Sequence, residues 1–310
     1  MDFDETELSY GTLPQLVEAI TSVEIEPGPD GRRTFETKSP DWWMGDRTFG
    51  GMVVSQALHA ATRTVSADLD VHSLHGYFLR PSRPGMPSVH RVEMVRDGRS
   101  FTTREVTSEV EGKPVFRMIC QFHAAEEGDE YQLPMASVSS PLADADDSEV
   151  GFPFLMHELG ATERREDGTY LSTRRLWFRT SEEVGDDRVM HACLLAYLSD
   201  MTGASFRPLS LGTWGTHTDA SLDHAVWFHR PWRADRWNLF DLQTLVNAGG
   251  RATLRATMHG EDGTLHLSMA QELLIRKLEV PIIFETPPWV DRDQERRRLV
   301  EGEVTDDGSA

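Results

Sequence analysis

Basic residues are scarce in this chain relative to acidic ones. Its 310 residues include 31 Lys and Arg against 51 Asp and Glu, which gives a net charge of −20. Because nucleic acids and anionic membrane surfaces attract basic proteins, this charge argues against both as general partners. A polyanionic small molecule would need a local basic patch.

Long hydrophobic runs are also missing. No apolar stretch approaches the roughly 18 residues that a membrane span requires, and residues 1–5 (MDFDE) lack the basic and apolar regions of a signal peptide. The last three residues, GSA, do not form a peroxisomal targeting signal. These features predict a cytoplasmic protein with no membrane partner.

Cysteine is nearly absent, and so are the common catalytic and metal-binding motifs. Cys120 and Cys193 lie inside apolar runs without metal-ligand spacing, which predicts buried free thiols in a reducing compartment. The chain has no P-loop, no GxSxG and no HExxH motif, and its twelve histidines are scattered. We therefore expect neither a metal nor a cofactor.

The chain does contain an internal repeat. Residues 73–81 (SLHGYFLRP) correspond to residues 221–231 (SLDHAVWFHRP), with FLRP aligned on FHRP. Each stretch is followed by a Gly-Arg pair, a strand-like run, a second turn and a last strand that ends near Gln121 or Gln271. Two copies about 150 residues apart indicate a duplicated domain rather than a solenoid.

Hydrophobic periodicity predicts the same elements in each copy. Apolar residues follow helical spacing over residues 53–65 and 188–203, and strand-like alternation follows each of these helices. A shorter helix is predicted near residues 13–20. One helix followed by several antiparallel strands is typical of an α+β fold in which the sheet packs on the helix.

Composition divides the chain into five segments. Residues 1–34 and the tail, 279–310, are rich in charged residues, and residues 125–164 form an acidic linker. The two repeats then occupy residues 35–124 and 165–278.

Three polar residues of the second repeat are candidates for a site. Gln271 shares one strand face with apolar residues at 265, 267, 269 and 273, so its amide needs hydrogen-bond partners, whether structural or functional. Asp200 lies beside the apolar stripe of its helix, and periodicity alone predicts an exposed acid. Ser221 opens a strand and could be an ordinary strand-start hydroxyl. Gln121, in the first repeat, has the opposite parity to Gln271.

The order of these segments resembles the acyl-CoA thioesterase II (TesB-like) family, whose members have two hotdog domains in one chain. The resemblance covers about residues 50 to 275. It is carried by FGGMVVSQALHAA (residues 49–61), HSLHGYFLRP (72–81), RDGRSFTTREV (96–106), EGKPVF (111–116), LLAYLSD (194–200), SLDHAVWFHRP (221–231) and DGTLHLSMAQE (262–272).

This resemblance implies a double hotdog whose two sheets join into one, and further assembly into a homo-oligomer. It also implies hydrolysis of acyl-CoA to fatty acid and CoA by a water molecule that Asp200 activates and that Ser221 and Gln271 position. Many members carry Thr where this chain has Ser221, so the hydroxyl is retained. Neither cysteine has the adjacent His and acid that a covalent nucleophile requires.

Coenzyme A brings phosphate charge to a strongly acidic chain. Arginines are therefore the expected contacts, and the candidates are Arg80, Arg230 and Arg251, together with Arg83, Arg233 and Arg255. His75, in the matching stretch of the first repeat, is a candidate for a secondary role at the site.

Two other functions stay open on sequence grounds. A hotdog hydratase or dehydratase uses a His with an Asp, and Asp223 and His224 are adjacent; the third candidate is a non-catalytic acyl-CoA-binding protein. Neighbouring strand residues point to opposite faces, so Asp223 and His224 are not expected to serve one pocket. We accordingly expect His224 to stand outside the reaction.

Overall fold

Three helices and thirteen strands make up the part of the chain that the computed structural model describes, which is residues 11–27, 30, 32–38, 40, 47–141, 153–159, 173–201 and 217–279. The helices are α1 (Leu13–Ile20), α2 (Gly50–Thr62) and α3 (Arg188–Ser199). The strands are β1 (Val23–Ile25), β2 (Arg33–Thr37), β3 (Leu69–Phe78), β4 (Ser88–Asp97), β5 (Phe101–Val110), β6 (Lys113–Ala124), β7 (Phe154–Glu158), β8 (Thr173–Thr180), β9 (His217–Ser221), β10 (Asp223–Phe228), β11 (Asn238–Ala248), β12 (Arg251–Gly260) and β13 (Leu265–Lys277).

All of these strands belong to one antiparallel sheet. Its order is β1-β2-β4-β5-β6-β3-β10-β13-β12-β11-β8-β7, and β9 pairs with β13. The two halves meet where β3 pairs with β10, from Tyr77 opposite Asp223 to Ser73 opposite Trp227. The seam is thus built from the two stretches that align in sequence, and the prediction of two repeats whose sheets join into one is confirmed.

The two long helices pack against each other and share one core with the sheet. α2 is buried from Gly51 to Ala61, and α3 from Met190 to Ser199. Alternate strand residues face this core, as the period of two predicts; those of β6 (Phe116, Met118, Cys120 and Phe122) are completely buried. Burying each large side chain of this kind stabilises the fold by about 1.5–3 kcal/mol. Because α2 and α3 are buried almost all round, neither has the polar face of a surface helix.

Regular structure also forms outside the predicted repeats. In the N-terminal segment, Thr12 caps α1 through a reciprocal capping box with Gln15, and β1 extends the sheet beyond β2. In the predicted acidic linker, β7 pairs with β8 at the opposite edge. The boundaries at residues 35 and 165 therefore exclude two strands of the sheet. Edge strands of three to five residues are too short to show a clear alternation, which is why composition misplaces them.

The charged tail lies outside the described residues from 280 onward. Among the described helices, none combines the length and the hydropathy that crossing a bilayer requires.

Candidate active site

Asp200 caps the C-terminal end of α3 and is buried, with only 2% of its surface exposed. The exposed position that periodicity predicts is therefore wrong. The reason is the packing of α2, which covers the side of α3 that would otherwise face solvent. The backbone of the two helices is so close that a methyl group at Gly51 would overlap the carbonyl oxygen of Tyr197.

Ser221 and Gln271 both contact the carboxylate of Asp200. Gln271 Nε2 donates to Asp200 Oδ1 and to Ser221 Oγ, the latter at 2.9 Å, and Ser221 Oγ donates to Asp200 Oδ1 at 3.2 Å. Gln271 projects from β13 on the buried face that its parity predicts, and Ser221 ends the neighbouring β9. Two donors, 21 and 71 positions after Asp200 in the chain, thus share one acceptor oxygen.

The first half of the chain completes the site with the start of α2. The backbone N–H of Gly51 donates to the Asp200 carboxylate. A methyl group at Gly50 would lie 2.5 Å from Asp200 Oδ2 and 3.0 Å from Cζ of Phe78, so glycine permits the close approach. The N-terminal end of a helix carries a partial positive charge that favours an anion at this position. The sequence contains one signal for this contact, which the motif alone does not bring out: a Gly-Gly pair at the start of a buried helix indicates that another group approaches the backbone closely.

The electrostatics of the site follow from its burial. Burial raises the pKa of Asp200 to about 7, against the opposing effect of hydrogen bonds from Gln271, Ser221 and Gly51, while the charge of Asp219 adds to the rise. A carboxyl group whose pKa lies near neutrality combines a useful basicity with a substantial ionised fraction, as a general base requires.

His224 lies on the buried side of β10, next to Asp200. Its Nε2 is 2.7 Å from Ser199 Oγ, its Nδ1 is 4.0 Å from Asp200 Oδ1, and the ring has no exposed surface. Burial lowers the pKa of His224 to about 3, so the imidazole is neutral at physiological pH. Asp223 points the other way and accepts from the backbone N–H of Glu272 at 2.7 Å. The predicted separation of Asp223 and His224 is confirmed, but the face that His224 occupies is the one that holds Asp200.

The corresponding position of the first half has no such set. Gln121 is half-buried and donates to Thr103 Oγ1 at 3.2 Å. In the sheet, Phe116 of β6 lies opposite Phe78, and Leu267 of β13 lies opposite Phe228. Cys120 lies four residues after Phe116, and Gln271 lies four residues after Leu267. A buried thiol in the first half therefore occupies the position of the buried amide in the second, which agrees with the opposite parity predicted for Gln121.

His75 is not at this site. It is exposed on the open face of the sheet, where it packs edge-on against Trp227 with ring centroids 4.9 Å apart. Its neighbour Leu74 points into the core. Since Asp200 lies on the core side, the alternation of β3 directs His75 away from it, and the predicted secondary role at the site is not supported.

Two of the candidate arginines make the same structural contact in the two halves. Arg80 Nη1 donates to the carbonyl of Pro114 at 2.7 Å, and Arg230 Nη1 donates to that of Leu265 at 3.2 Å. Each Arg-Pro motif thereby fastens the end of one strand to the start of its neighbour. Most other candidates are also engaged: Arg251 with Glu272, Arg233 with Asp186 and Asp235, and Arg255 with Gln243.

The two cysteines are fully buried free thiols. Burial raises the pKa of Cys120 to about 12 and that of Cys193 further. Because the thiolate is the reactive form, neither thiol is a nucleophile at neutral pH. No group of three or more His, Cys, Asp or Glu side chains in the described ranges is arranged to hold a metal ion.

An apolar cleft lies beside the end of α3. Leu198 and Met201 line it from the chain on either side of Asp200, and the sheet contributes Met156, Phe178 and Met258. The space between these side chains, about 10 Å³, is no larger than one water molecule needs, so an aliphatic chain does not fit there in this structure.

Comparison with known proteins places both halves in one family. Residues 39–123 match the family described as "Acyl-CoA thioesterase N-terminal domain", and residues 146–273 match the one described as "Acyl-CoA thioesterase". Human acyl-coenzyme A thioesterase 8 is 33% identical over 265 residues, which cover 76% of this chain and 82% of the relative. Acyl-CoA thioesterase 2 of Haemophilus influenzae is 31% identical over 251 residues, covering 74% and 88%.

The same similarity holds among solved structures. The crystal structure of an acyl-CoA thioesterase II, TesB2, from Mycobacterium marinum superposes with a TM-score of 0.71 at 32% identity. The match covers 85% of this chain and 99% of that one.

Proposed function

The chain belongs to the acyl-CoA thioesterase family, and we propose that it hydrolyses acyl-CoA with a water molecule that Asp200 activates and that Ser221 and Gln271 position. The observation that carries this proposal is the single oxygen, Asp200 Oδ1, on which both donors converge. A water bound to that oxygen lies within reach of the hydroxyl and the amide as well. Three groups around one water fix its direction of attack.

The chemistry needs no covalent intermediate. As the water oxygen attacks the thioester carbon, one of its protons passes to Asp200. The carbon–sulfur bond then breaks, and the protonated Asp200 returns its proton to the sulfur of the leaving CoA. The products are a carboxylic acid and a free thiol, and Asp200 is ready for another cycle.

The start of α2 supports the charges that appear during this reaction. The negative charge moves from Asp200 to the carbonyl oxygen of the thioester and then to the leaving sulfur. The positive end of the α2 dipole, already directed at Asp200 through Gly51, favours negative charge at each stage. The active site is accordingly composite, with its general base in the second half and a helix N-terminus from the first.

The position of His224 argues against a hydratase or dehydratase. Such chemistry requires an imidazole nitrogen at the substrate, whereas His224 Nε2 contacts Ser199 and its Nδ1 faces Asp200. A passive acyl-CoA-binding protein would not need a buried carboxyl with a pKa near 7 beside two donors. The thioesterase is the function that both observations favour.

One experiment separates the three functions. Purified protein is incubated with acyl-CoAs of different chain lengths and with an enoyl-CoA, and both thiol release and mass are followed. Release of free CoA supports the thioesterase, a gain of one water on the enoyl-CoA indicates a hydratase, and unchanged ligand indicates a binding protein. The Asp200→Asn variant is the matched control, because it should lower the rate of thiol release by about 10²-fold or more without preventing binding.

Two subsidiary proposals accompany this function. Arg80, Arg230 and Arg251 are proposed contacts for the phosphates of CoA, and their substitution by Gln should raise KM and leave kcat nearly unchanged. Assembly into a homo-oligomer is proposed from the family resemblance, and sedimentation equilibrium tests it.

A further inference from the structure

We propose that His224 is a positioning residue for Asp200: it holds an unprotonated imidazole nitrogen beside the carboxyl group and so stabilises Asp200 when it carries the proton taken from water. This inference rests on the proposed function of Asp200. It also reverses the expectation from sequence that His224 stands outside the reaction.

Ser199 contacts the nitrogen of His224 that carries the proton in this proposal. Ser199 Oγ lies 2.9 Å from the carbonyl of Ala196, in the last turn of α3, and 2.7 Å from His224 Nε2. When the hydroxyl donates to the carbonyl, its oxygen accepts from Nε2, which then carries the ring proton. A neutral imidazole has a single N–H, and Nδ1 is therefore an unprotonated acceptor.

That acceptor faces the proposed general base. His224 Nδ1 is 4.0 Å from Asp200 Oδ1 and has no hydrogen-bond partner among the described residues. A lone pair at this place opposes the carboxylate charge. It can accept from the O–H of a protonated Asp200 after an approach of about 1 Å, which brings the pair to hydrogen-bond distance. Asp200 is protonated between the attack of water and the release of CoA, and this is the state that His224 favours.

The other groups that face Asp200 do not duplicate this role. Gln271, Ser221 and the N–H of Gly51 are all donors, which favour the ionised carboxylate. Asp219 on β9 acts in the same direction as His224, but through its charge. Tyr197 on α3 is a phenol whose pKa is raised by burial and also by the charge of Asp200. Each of them remains in place when only His224 is changed.

The duplicated fold provides an internal comparison. Four residues before Phe78 and Phe228 lie Leu74 and His224, and both side chains are completely buried. Leu74 stands opposite Cys120; continuing the ladder by one residue from Ala225 opposite Ala270 places His224 opposite Gln271. The packing at this point of the fold therefore accommodates an aliphatic side chain, and a histidine is found in the half that holds Asp200.

The test uses three substitutions of His224 in the full-length protein. His224→Leu removes both nitrogens and keeps the buried volume; we expect kcat to fall by roughly 10-fold, less than for loss of the base itself. KM should be unchanged, and the acid limb of the kcat–pH profile should move to lower pH, because the group that disfavours the carboxylate is gone. His224→Asn keeps a polar atom near the position of Nδ1, whereas His224→Gln keeps one near Nε2. Asn should therefore retain more activity than Gln.

A purely structural role predicts the opposite order, since Gln preserves the contact with Ser199. Equal activities, or more activity in Gln than in Asn, would overturn the proposal, and so would a wild-type kcat and pH profile in His224→Leu. Folding of each variant is checked by circular dichroism and thermal melting.

Ser199→Ala decides the question if the His224 variants fold poorly. It leaves every group at Asp200 in place but frees the imidazole, and should lower kcat and shift the same limb of the profile; unchanged kinetics would refute the proposal. Asp200→Asn is measured in the same assay. If it retains activity, the proposed function itself is wrong, whereas a dead Asp200→Asn beside fully active His224 and Ser199 variants contradicts only this inference.

Discussion

Replacing Asp200 by Asn tests two consequences of the burial of this carboxyl group: its activity as a general base, and the pH dependence that it gives to the stability of the protein. Asn keeps the shape and can still accept from Gln271 and Ser221, but it cannot take a proton from water. We expect kcat to fall by about 10²-fold or more, the range for losing general-base assistance, with little change in KM. A variant that kept more than a tenth of the wild-type kcat would contradict the assigned role.

The stability of the Asp200→Asn variant relative to the wild type should increase as the pH rises. A carboxyl group whose folded-state pKa lies above its unfolded value binds its proton more tightly in the folded state. Its stabilising contribution is complete below the unfolded value of 3.8, decreases as the pH rises, and is lost above the folded value of about 7. The interval of about 3 pH units corresponds to on the order of 4 kcal/mol in the free energy of unfolding. Asn does not titrate and so lacks this dependence.

Urea unfolding of both proteins across this pH interval provides the measurement. The difference in unfolding free energy between the two proteins should shift in favour of Asn from about pH 4 to about pH 8. A cost that is independent of pH, such as an Asn amide facing the N–H of Gly51, cancels from this comparison. A difference that stays constant with pH would show that Asp200 does not titrate near neutrality. Asp223→Asn, on the open face one residue from His224, is the control and should leave kcat nearly unchanged.

Five further substitutions, at four residues, test the geometry by steady-state kinetics. Gln271→Ala should lower kcat with little effect on KM, whereas Gln121→Ala should be far milder because its amide bonds on another face; equal losses would contradict a single site per chain. Ser221→Thr keeps the hydroxyl and should stay active, while Ser221→Ala should lose roughly 10-fold or more of kcat if the hydroxyl positions water. Gly50→Ala would place a methyl group 2.5 Å from Asp200 Oδ2 and should lower kcat, and this overlap should also cost about 1–3 kcal/mol of stability. A wild-type kcat in the Gly50 variant would argue that the start of α2 plays no part.

Features set by local sequence were predicted from it. The alternation along β13 placed Gln271 on the buried face, and the structure leaves only 1% of it exposed. The short helix near residues 13–20 is α1, with the same bounds, because its capping signals lie within a few residues of it. The repeated stretches around Phe78 and Phe228 form the seam of the sheet. In each case the deciding contacts lie along the same strand, helix or repeat.

Features that depend on distant parts of the chain were not predicted from the sequence. Asp200 is buried because α2, about 140 residues earlier, lies against α3, and no periodicity within α3 contains that fact. The edge strands β1 and β7 are held by their pairing with β2 and β8, so composition placed them in a terminal segment and a linker. In the sequence, His224 is compared with its neighbour Asp223. The carboxyl group that lies next to it in the structure is that of Asp200, 24 residues earlier.

The duplication explains why a chain of two similar halves should hold one such site. In each half a strand residue and its ladder partner face the core beneath the helices, and in the first half these are Leu74 and Cys120. In the second half the same places hold His224 and Gln271, two polar groups that would be costly to bury without partners. Asp200 and Ser199, at the end of α3, provide those partners. The polar set is therefore interdependent: losing one member leaves another buried group unsatisfied, whereas the first half holds Leu74 and Cys120 at the corresponding places.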